Sequence, residues 1–589
     1  MFEREQQAIE SQIREYCTDS SLPTPEIQWN PLPFAGEWGI STSFFQLAAQ
    51  EARSGKKVIV PQRAQELAAR IAEHLGKPPG FERIEAIKGY LNVYFSPHEF
   101  ARRVLDAVLE QGKAFGGGAP KGQRVMIEFS QPNTHKAFHV GHLRSAILGD
   151  SLARILEFAG YDVVRANYPG DMGLHVIRWL WNYLEHHNGE EPHRDITQWM
   201  DNIYSEAVRR LEENPQLEAE VRAIYSRWDR RDADIVALWE KTRQWSLDGF
   251  NQIYTALDIR FDRYYFNSEE EHPGKAVVEE LIRRGLAIDE RPEGQVLVRI
   301  DDLLGLENAK YRVLVVLRSD NTALYATEDL ALVLHKFRDY PDLVRSIYVV
   351  DVRQSLHFQQ VFKTLEIAGY EWATKCVHVP YELVTLPGNV VMSSREGTAV
   401  LLEVLLREAM QRARQVVEEK NPLLPEAEKE KVAFAVGIGA LKYPLLARDN
   451  TKLVVFDWQT ALDFNGQAAP YIQYAHVRAS SILRRSDFSP SALPASTPTS
   501  PSDPSELQLI DLIARTPAEV QRAAADLKTL VITNHAYELA RAFTAFYNTC
   551  PVLQAAPEVR AARLRLTAAA KQAIANMLGL LGIATPEVM

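Results

Sequence analysis

Cysteine is almost missing from this 589-residue chain: Cys17, Cys376 and Cys550 stand far apart and no CxxC pair occurs. That excludes a disulfide framework and a cysteine-built zinc site, and leaves three thiols expected to be buried and inert. Long apolar runs are missing too. Nothing approaches the ~20 residues a bilayer span needs, and the opening MFEREQQAIE lacks the apolar core of a secretory signal, so a soluble, cytoplasmic protein without a membrane partner is expected. Net positive charge is lacking: 66 Lys and Arg against 77 Asp and Glu give −11, so overall charge gives no sign of a nucleic-acid partner. The balance is uneven, because from Gly466 onward eleven Lys and Arg face nine Asp and Glu. This end suits an anionic partner better than the rest. What the chain does have is core material. With 46% hydrophobic and 24% charged residues, bulk disorder is excluded, and the length calls for several cores of roughly 100 to 200 residues each.

The first stretch mixes helical periodicity, as in PQRAQELAARIAEHL, with the alternating YLNVYF, and predicts a small α+β domain over 1–115 that ends at the GGGAPKG joint. From Arg124, RVMIEF reads as a strand, Gly141 to Phe158 as a helix that Gly160 can cap, and YDVVRAN as a second strand. That is a β-α-β unit. A charged helical insertion over about 180–290 follows, after which QVLVRI, YRVLVVLR and SIYVVDV are expected to resume a sheet split in sequence, within a domain spanning 116–400. Helical sequence then runs through a connecting region, 401–465, and a C-terminal unit, 466–589. Five prolines and many serines between Ser486 and Glu506 predict a flexible loop.

The segment EFSQPNTHKAFHVGHLRSAILGD places His139, Gly141 and His142 where a strand gives way to a helix. Helix N-termini attract phosphate because unpaired amides and the macrodipole point outward there. Two imidazoles add hydrogen bonds, and the glycine leaves room for a nucleotide ring. Accidental histidines are the plain alternative, yet the tetrapeptide is expected by chance only about 0.02 times in such a composition.

In this setting HVGH resembles the HIGH motif of class I aminoacyl-tRNA synthetases, and SQPNTHKAFHVGHLRSAILGD resembles the arginyl-tRNA synthetase family in particular. NYPGDMG, LRSDNTALYATEDLALVLHK, VVDVRQSLHF, VVMSSREGTAVLLEVLLREA and FNGQAAPYIQYAHVRASSIL continue the resemblance in family order. It implies an α/β protein with a Rossmann-like parallel-sheet catalytic core, an inserted helical segment, a small α+β N-terminal domain and an all-α C-terminal bundle. It further implies ATP-dependent ligation of L-arginine to its tRNA, with Mg²⁺ neutralising the pyrophosphate. No motif identifies a ligand for that ion, and a monomer is expected.

Residue by residue, the resemblance implies that His139 and His142 contact the ATP phosphates and Gly141 admits the adenosine. Tyr325, Asp329 and Gln354 would hold the substrate side chain, and Glu128 and Asn133 its α-ammonium and carboxylate end. A guanidinium asks for a carboxylate in fork geometry with flat or amide groups beside it, and Tyr325 and Asp329, four apart in a helix-like run, can face one cavity. An ordinary half-exposed helix face gives the same spacing. The KMSKS-like loop reads Val391-Met392-Ser393-Ser394-Arg395-Glu396 and has neither motif lysine. Lys136, three residues before His139, and Arg395 are the candidates for the missing cation. Gln131 and Glu396 also depart from the family, where serine and lysine are common. Tyr90 and Asn92 on the N-terminal strand suit stacking and edge reading of an unpaired tRNA base, and the C-terminal unit resembles the anticodon-binding bundle, with Tyr474, His476 and Arg478 in its opening helix.

Three rivals remain at this level. They are a class I enzyme for another amino acid, a catalytically impaired relative that binds tRNA or a partner protein, and a generic nucleotidyltransferase. The acidic Asp329 and the intact His139, His142 and Asn133 argue against them, as does a chain larger than the last task requires.

Overall fold

The computed structural model describes residues 2–54, 57–387, 390–391, 402–486 and 501–589. Strands β1 (Asn30–Pro31), β2 (Gly39–Ser43), β3 (Phe81–Ile87) and β4 (Tyr90–Phe95) form an antiparallel sheet of order β1-β2-β4-β3. Leu91, Val93 and Phe95 alternate inward along β4, and helices Glu3–Asp19, Val60–Leu75 and Pro97–Gln111 close over that core.

The central sheet is built from β5 (Arg124–Glu128), β6 (Asp162–Asn167), β7 (Arg263–Tyr264), β11 (Leu343–Asp351) and β12 (Cys376–Tyr381). Its order is β12-β11-β5-β6-β7, and every neighbouring pair is parallel. Burial on both faces explains the near-continuous apolar reading of β5 and β11. The chain leaves β5 toward β6 on one side and returns as β11 on the other. This reversal opens a crevice at the carboxyl ends of β5 and β11, where ligands bind in open α/β sheets.

One expectation is corrected. QVLVRI and YRVLVVLR do not rejoin the parallel sheet: with Ile288–Asp289 (β8) they make a separate antiparallel sheet, as β9 (Val296–Arg299) and β10 (Val313–Leu317). Only SIYVVDV returns, as β11. A short apolar run carries no label for its pairing partner, and these two, consecutive in the chain and joined through residues 300–312, pair with each other instead. The helical stretch 180–290 is likewise not outside the sheet throughout, since β7 within it pairs with β6.

The first β-α-β helix, Val140–Phe158, buries Leu143, Ile147, Ile155 and Leu156, each contributing about 1.5–3 kcal/mol relative to exposure. Gly160 follows it in a left-handed conformation, φ 99°, and Phe129 lies so close beneath the helix that a Cβ on Gly149 would meet its ring at 2.1 Å. Helices Leu174–His186, Ile196–Glu213, Glu218–Asp229 and Ala233–Ala256 form the inserted bundle around Trp179, Trp181, Trp228 and Trp239. The C-terminal part packs helices Ala469–Arg485, Pro504–Asp526, Thr529–Thr549 and Pro557–Leu580. Of the proline-rich stretch read as a loop, residues 504–506 are instead the first helical turn, capped reciprocally by Asp503 and Glu506.

Candidate active site

The loop leaving β5 is held in sparsely populated backbone conformations. Ser130, Gln131 and His135 have φ of 80°, 45° and 60°, the kind of strain that clusters at functional sites. Buried partners hold the loop: the Ser130 amide and hydroxyl meet Ser145 (3.0 Å) and Tyr254 (2.8 Å), and His135 sits between Thr134 (2.9 Å) and Thr242 (2.8 Å). Asn133, exposed at the loop's crest, bridges to Gly170, and a Cβ on that glycine would lie 2.3 Å from the Asn133 Oδ1. This close approach explains the glycine of NYPGDMG.

His139 caps the following helix. Its Nδ1 accepts from the Gly141 amide at 3.1 Å, and the His142 Nδ1 accepts from the His139 amide at 3.4 Å. The two rings stack with centroids 3.9 Å apart. Burial, reinforced by the Lys136 charge, pulls His139 down to about 4; burial, then His139 and Lys136, holds His142 well below its ordinary value. Both are neutral at pH 7. With Nδ1 accepting, each carries its proton on Nε2, so the helix N-terminus presents two uncharged imidazole donors. His175, which opens the next helix, is pulled to about 3 chiefly by burial and then by Lys136.

Glu128 ends β5 at the crevice. It is buried, and one carboxylate oxygen pairs with the fully buried Lys336 while the other accepts from the Gln131 side-chain Nε2 at 2.8 Å. The Lys336 ammonium also lies 3.9 Å from the Tyr348 ring centroid. Sequence reasoning missed Lys336; its spacing in an amphipathic helix reads as a solvated lysine.

Across the crevice, the helix Tyr325–Asp339 places Tyr325 and Asp329 one turn apart at its N-terminal end. Tyr325 is 79% exposed, at the mouth. Asp329 is half-buried and one of its oxygens pairs with His357 Nε2, from the helix that follows Gln354. Gln354 itself ends the short turn after β11 and is exposed. Around Asp329 the cleft is acidic: Glu328 is pushed up to about 7, first by burial and then by Asp329, Glu271 and Asp171. Burial together with Asp329 and Glu328 raises the Tyr168 phenol well above its usual range. Sequence reasoning singled out neither Glu328 nor His357; adjacency to Asp329 was the available signal for the first, and the LHF of VVDVRQSLHF for the second. The structure thus brings Glu128, Asn133, His139, Gly141, His142, Tyr325, Asp329 and Gln354 to the carboxyl ends of β5, β6 and β11, with Lys136 beside the histidines. Met392, Ser393, Ser394 and Arg395 lie outside the described residues.

Two outlying loci are separate. Tyr90 is exposed on β4, edge-on to Phe45, while Asn92 already accepts from the Ser41 hydroxyl at 2.7 Å. In the C-terminal bundle, an open basin of about 620 Å³ is lined by Tyr474, Arg478, Arg485, Tyr547 and Met589. Arg478 lies over both rings, 4.5 Å from Tyr474 and 5.1 Å from Tyr547, whereas His476 is turned inward, 3.0 Å from the Pro586 carbonyl.

A doubly wound parallel sheet with a histidine-capped helix at its switch point is the arrangement of class I aminoacyl-tRNA synthetase cores, and comparison with known proteins agrees. The family described as tRNA synthetases class I (R), catalytic domain, matches residues 104–458, and the DALR anticodon binding domain matches 472–589. The arginine–tRNA ligase of Clostridium perfringens is 37% identical over 530 residues, covering 89% of this chain and 90% of that one. That of Bdellovibrio bacteriovorus is 36% identical over 510 residues, covering 85% and 86%. The solved arginyl-tRNA synthetase of Thermus thermophilus superposes with a TM-score of 0.77 at 27% identity, covering 99% of this chain and all of the other. The chain belongs to the arginyl-tRNA synthetase family.

Proposed function

We propose that this protein attaches L-arginine to its tRNA in two steps at the crevice. In the first, an arginine carboxylate oxygen attacks the α-phosphorus of ATP, a P–O bond forms, and the bond to pyrophosphate breaks. In the second, the terminal ribose hydroxyl of tRNA attacks the carbonyl carbon of the adenylate and AMP leaves. Neither step needs a strong acid or base from the protein; positioning and charge stabilisation do most of the work. The neutral Nε2–H groups of His139 and His142, at a helix N-terminus, donate to phosphate oxygens without repelling one another as two imidazolium ions would. Lys136 supplies the cation.

The observation that carries arginine over other amino acids is the acidic cleft. Asp329 and its neighbours give a guanidinium both a fork partner and a negative field, with Tyr325 beside it. Glu128 serves the α-ammonium end through a network that Lys336 and Gln131 hold fixed, and Asn133 orients the carboxylate. Among the described residues no group of three or more His, Cys, Asp or Glu is placed to hold a metal ion. A magnesium ion bound with ATP would neutralise charge on the pyrophosphate as it leaves.

The partner tRNA is held at a distance from the chemistry. Tyr90 offers a free ring face for an unpaired base, and the basin around Arg478, Tyr474 and Tyr547 combines cationic charge with stacking surfaces suited to anticodon nucleotides. Charging assays with a panel of labelled amino acids test this reading: esterification of tRNA with arginine alone, dependent on ATP, is expected. Charging with any other amino acid in preference, or none at all, refutes it.

A further inference from the structure

Lys136 stands on a loop, and a lysine on a loop is a poor substitute for a motif lysine unless something holds it. The inserted helix Ile196–Glu213 does so from two points. The Lys136 ammonium lies 4.6 Å from the centre of the Tyr204 ring, and one turn earlier the Asp201 carboxylate accepts the Ala137 amide, the residue after Lys136, at 2.9 Å. Both side chains are half-buried. The same helix is anchored at its start to the helix Leu402–Lys420: Thr197 donates to Glu403, and Arg407 donates to Asp195 at 2.9 Å. The Leu402 amide in turn donates to the Phe138 carbonyl at 3.1 Å, one residue before His139. The stretch Lys136–Phe138 is therefore braced on both sides.

We infer that Tyr204 and Asp201 are positioning residues for Lys136, and that the inserted helix does the work of aiming this cation at the phosphates beside His139. The inference rests on the proposed role of Lys136. A ring face attracts an ammonium without neutralising it, so the charge stays available for an incoming phosphate; a carboxylate partner would instead have paired it off. Asp201 contributes by fixing the backbone rather than by touching the ammonium, and the carbonyl of an asparagine can accept the same amide.

The test is a double-mutant cycle read in full-length charging kinetics. Tyr204→Leu is expected to lower kcat about fivefold with the KM for arginine unchanged, and Tyr204→Phe, which keeps the ring face, to recover most of the rate. In a Lys136→Ala background the leucine substitution is expected to add nothing. Asp201→Asn should retain most of the rate where Asp201→Ala does not, and thermal unfolding of each variant reports whether it folds. An equal loss from Tyr204→Leu with and without Lys136, or full-rate turnover by Tyr204→Leu beside a slow Lys136→Ala, overturns the inference alone. Full-rate charging by Lys136→Ala removes the role on which it rests, and the inference with it.

Discussion

The carboxylates of the acidic cleft do different jobs because their surroundings differ. Asp329 is aimed by His357, so Asp329→Asn removes the charged half of a fork interaction while keeping the shape; kcat/KM for arginine is expected to fall by about 100-fold or more, with the KM for ATP little changed. Glu328, pushed up to about 7 by burial and by its acidic neighbours, is partly protonated near neutrality. A bound guanidinium favours its ionised form, so arginine binding expels a proton there. The KM for arginine should therefore rise as pH falls from 8 to 6, by about tenfold at most, and Glu328→Gln should flatten that slope. The sign for stability is opposite. A carboxyl whose folded value lies above its unfolded one keeps its proton longer when folded, so this group weakens the fold as pH rises from about 4.5 to about 7.

Among elements, the helix Val140–Phe158 carries the nucleotide end of the site, and its packing leaves no room for adjustment at Gly149. Gly149→Ala forces a methyl into the Phe129 ring, and the expected cost is about 3 kcal/mol or more, read as a lowered unfolding midpoint and loss of soluble protein. This helix and its flanking strands were legible in the sequence because the signals are local: alternation in RVMIEF, helical spacing after HVGH, and a glycine at the exit. The β9 and β10 runs were not, because their pairing depends on chain connection rather than on their own residues. Distance along the chain likewise hid the partners of Glu128 and Asp329, which are separated from Lys336 and His357 by 208 and 28 positions. Residue types at the site could be read off; the groups that orient them could not.

For the whole molecule, the N-terminal part docks onto the C-terminal helices rather than hanging from a linker. Trp38 donates to Asp511 at 3.2 Å, Arg565 pairs with Asp106, and Asn576 donates to the Gly112 and Phe115 carbonyls at 3.0 and 2.9 Å. Both hydrogen bonds from the Asn576 side-chain amide are lost in Asn576→Ala; the Gly112 carbonyl keeps the Phe115 amide as donor, and the buried Phe115 carbonyl is the one left without this partner. A loss of about 2 kcal/mol is expected by denaturant unfolding, with turnover at saturating tRNA little affected.

Arg144, on the helix that carries the two histidines, sends its buried guanidinium to the backbone oxygens of Glu382, Leu383, Asn450 and Lys452, at 3.1, 3.2 and 3.0 Å for the last three. One side chain thus rivets three stretches of polypeptide that synthesis delivers at very different times. In a fragment truncated after residue 387 that guanidinium would lack two of its four acceptors, so the clamp on the histidine-bearing helix closes only once the segment around Asn450 and Lys452 has been made.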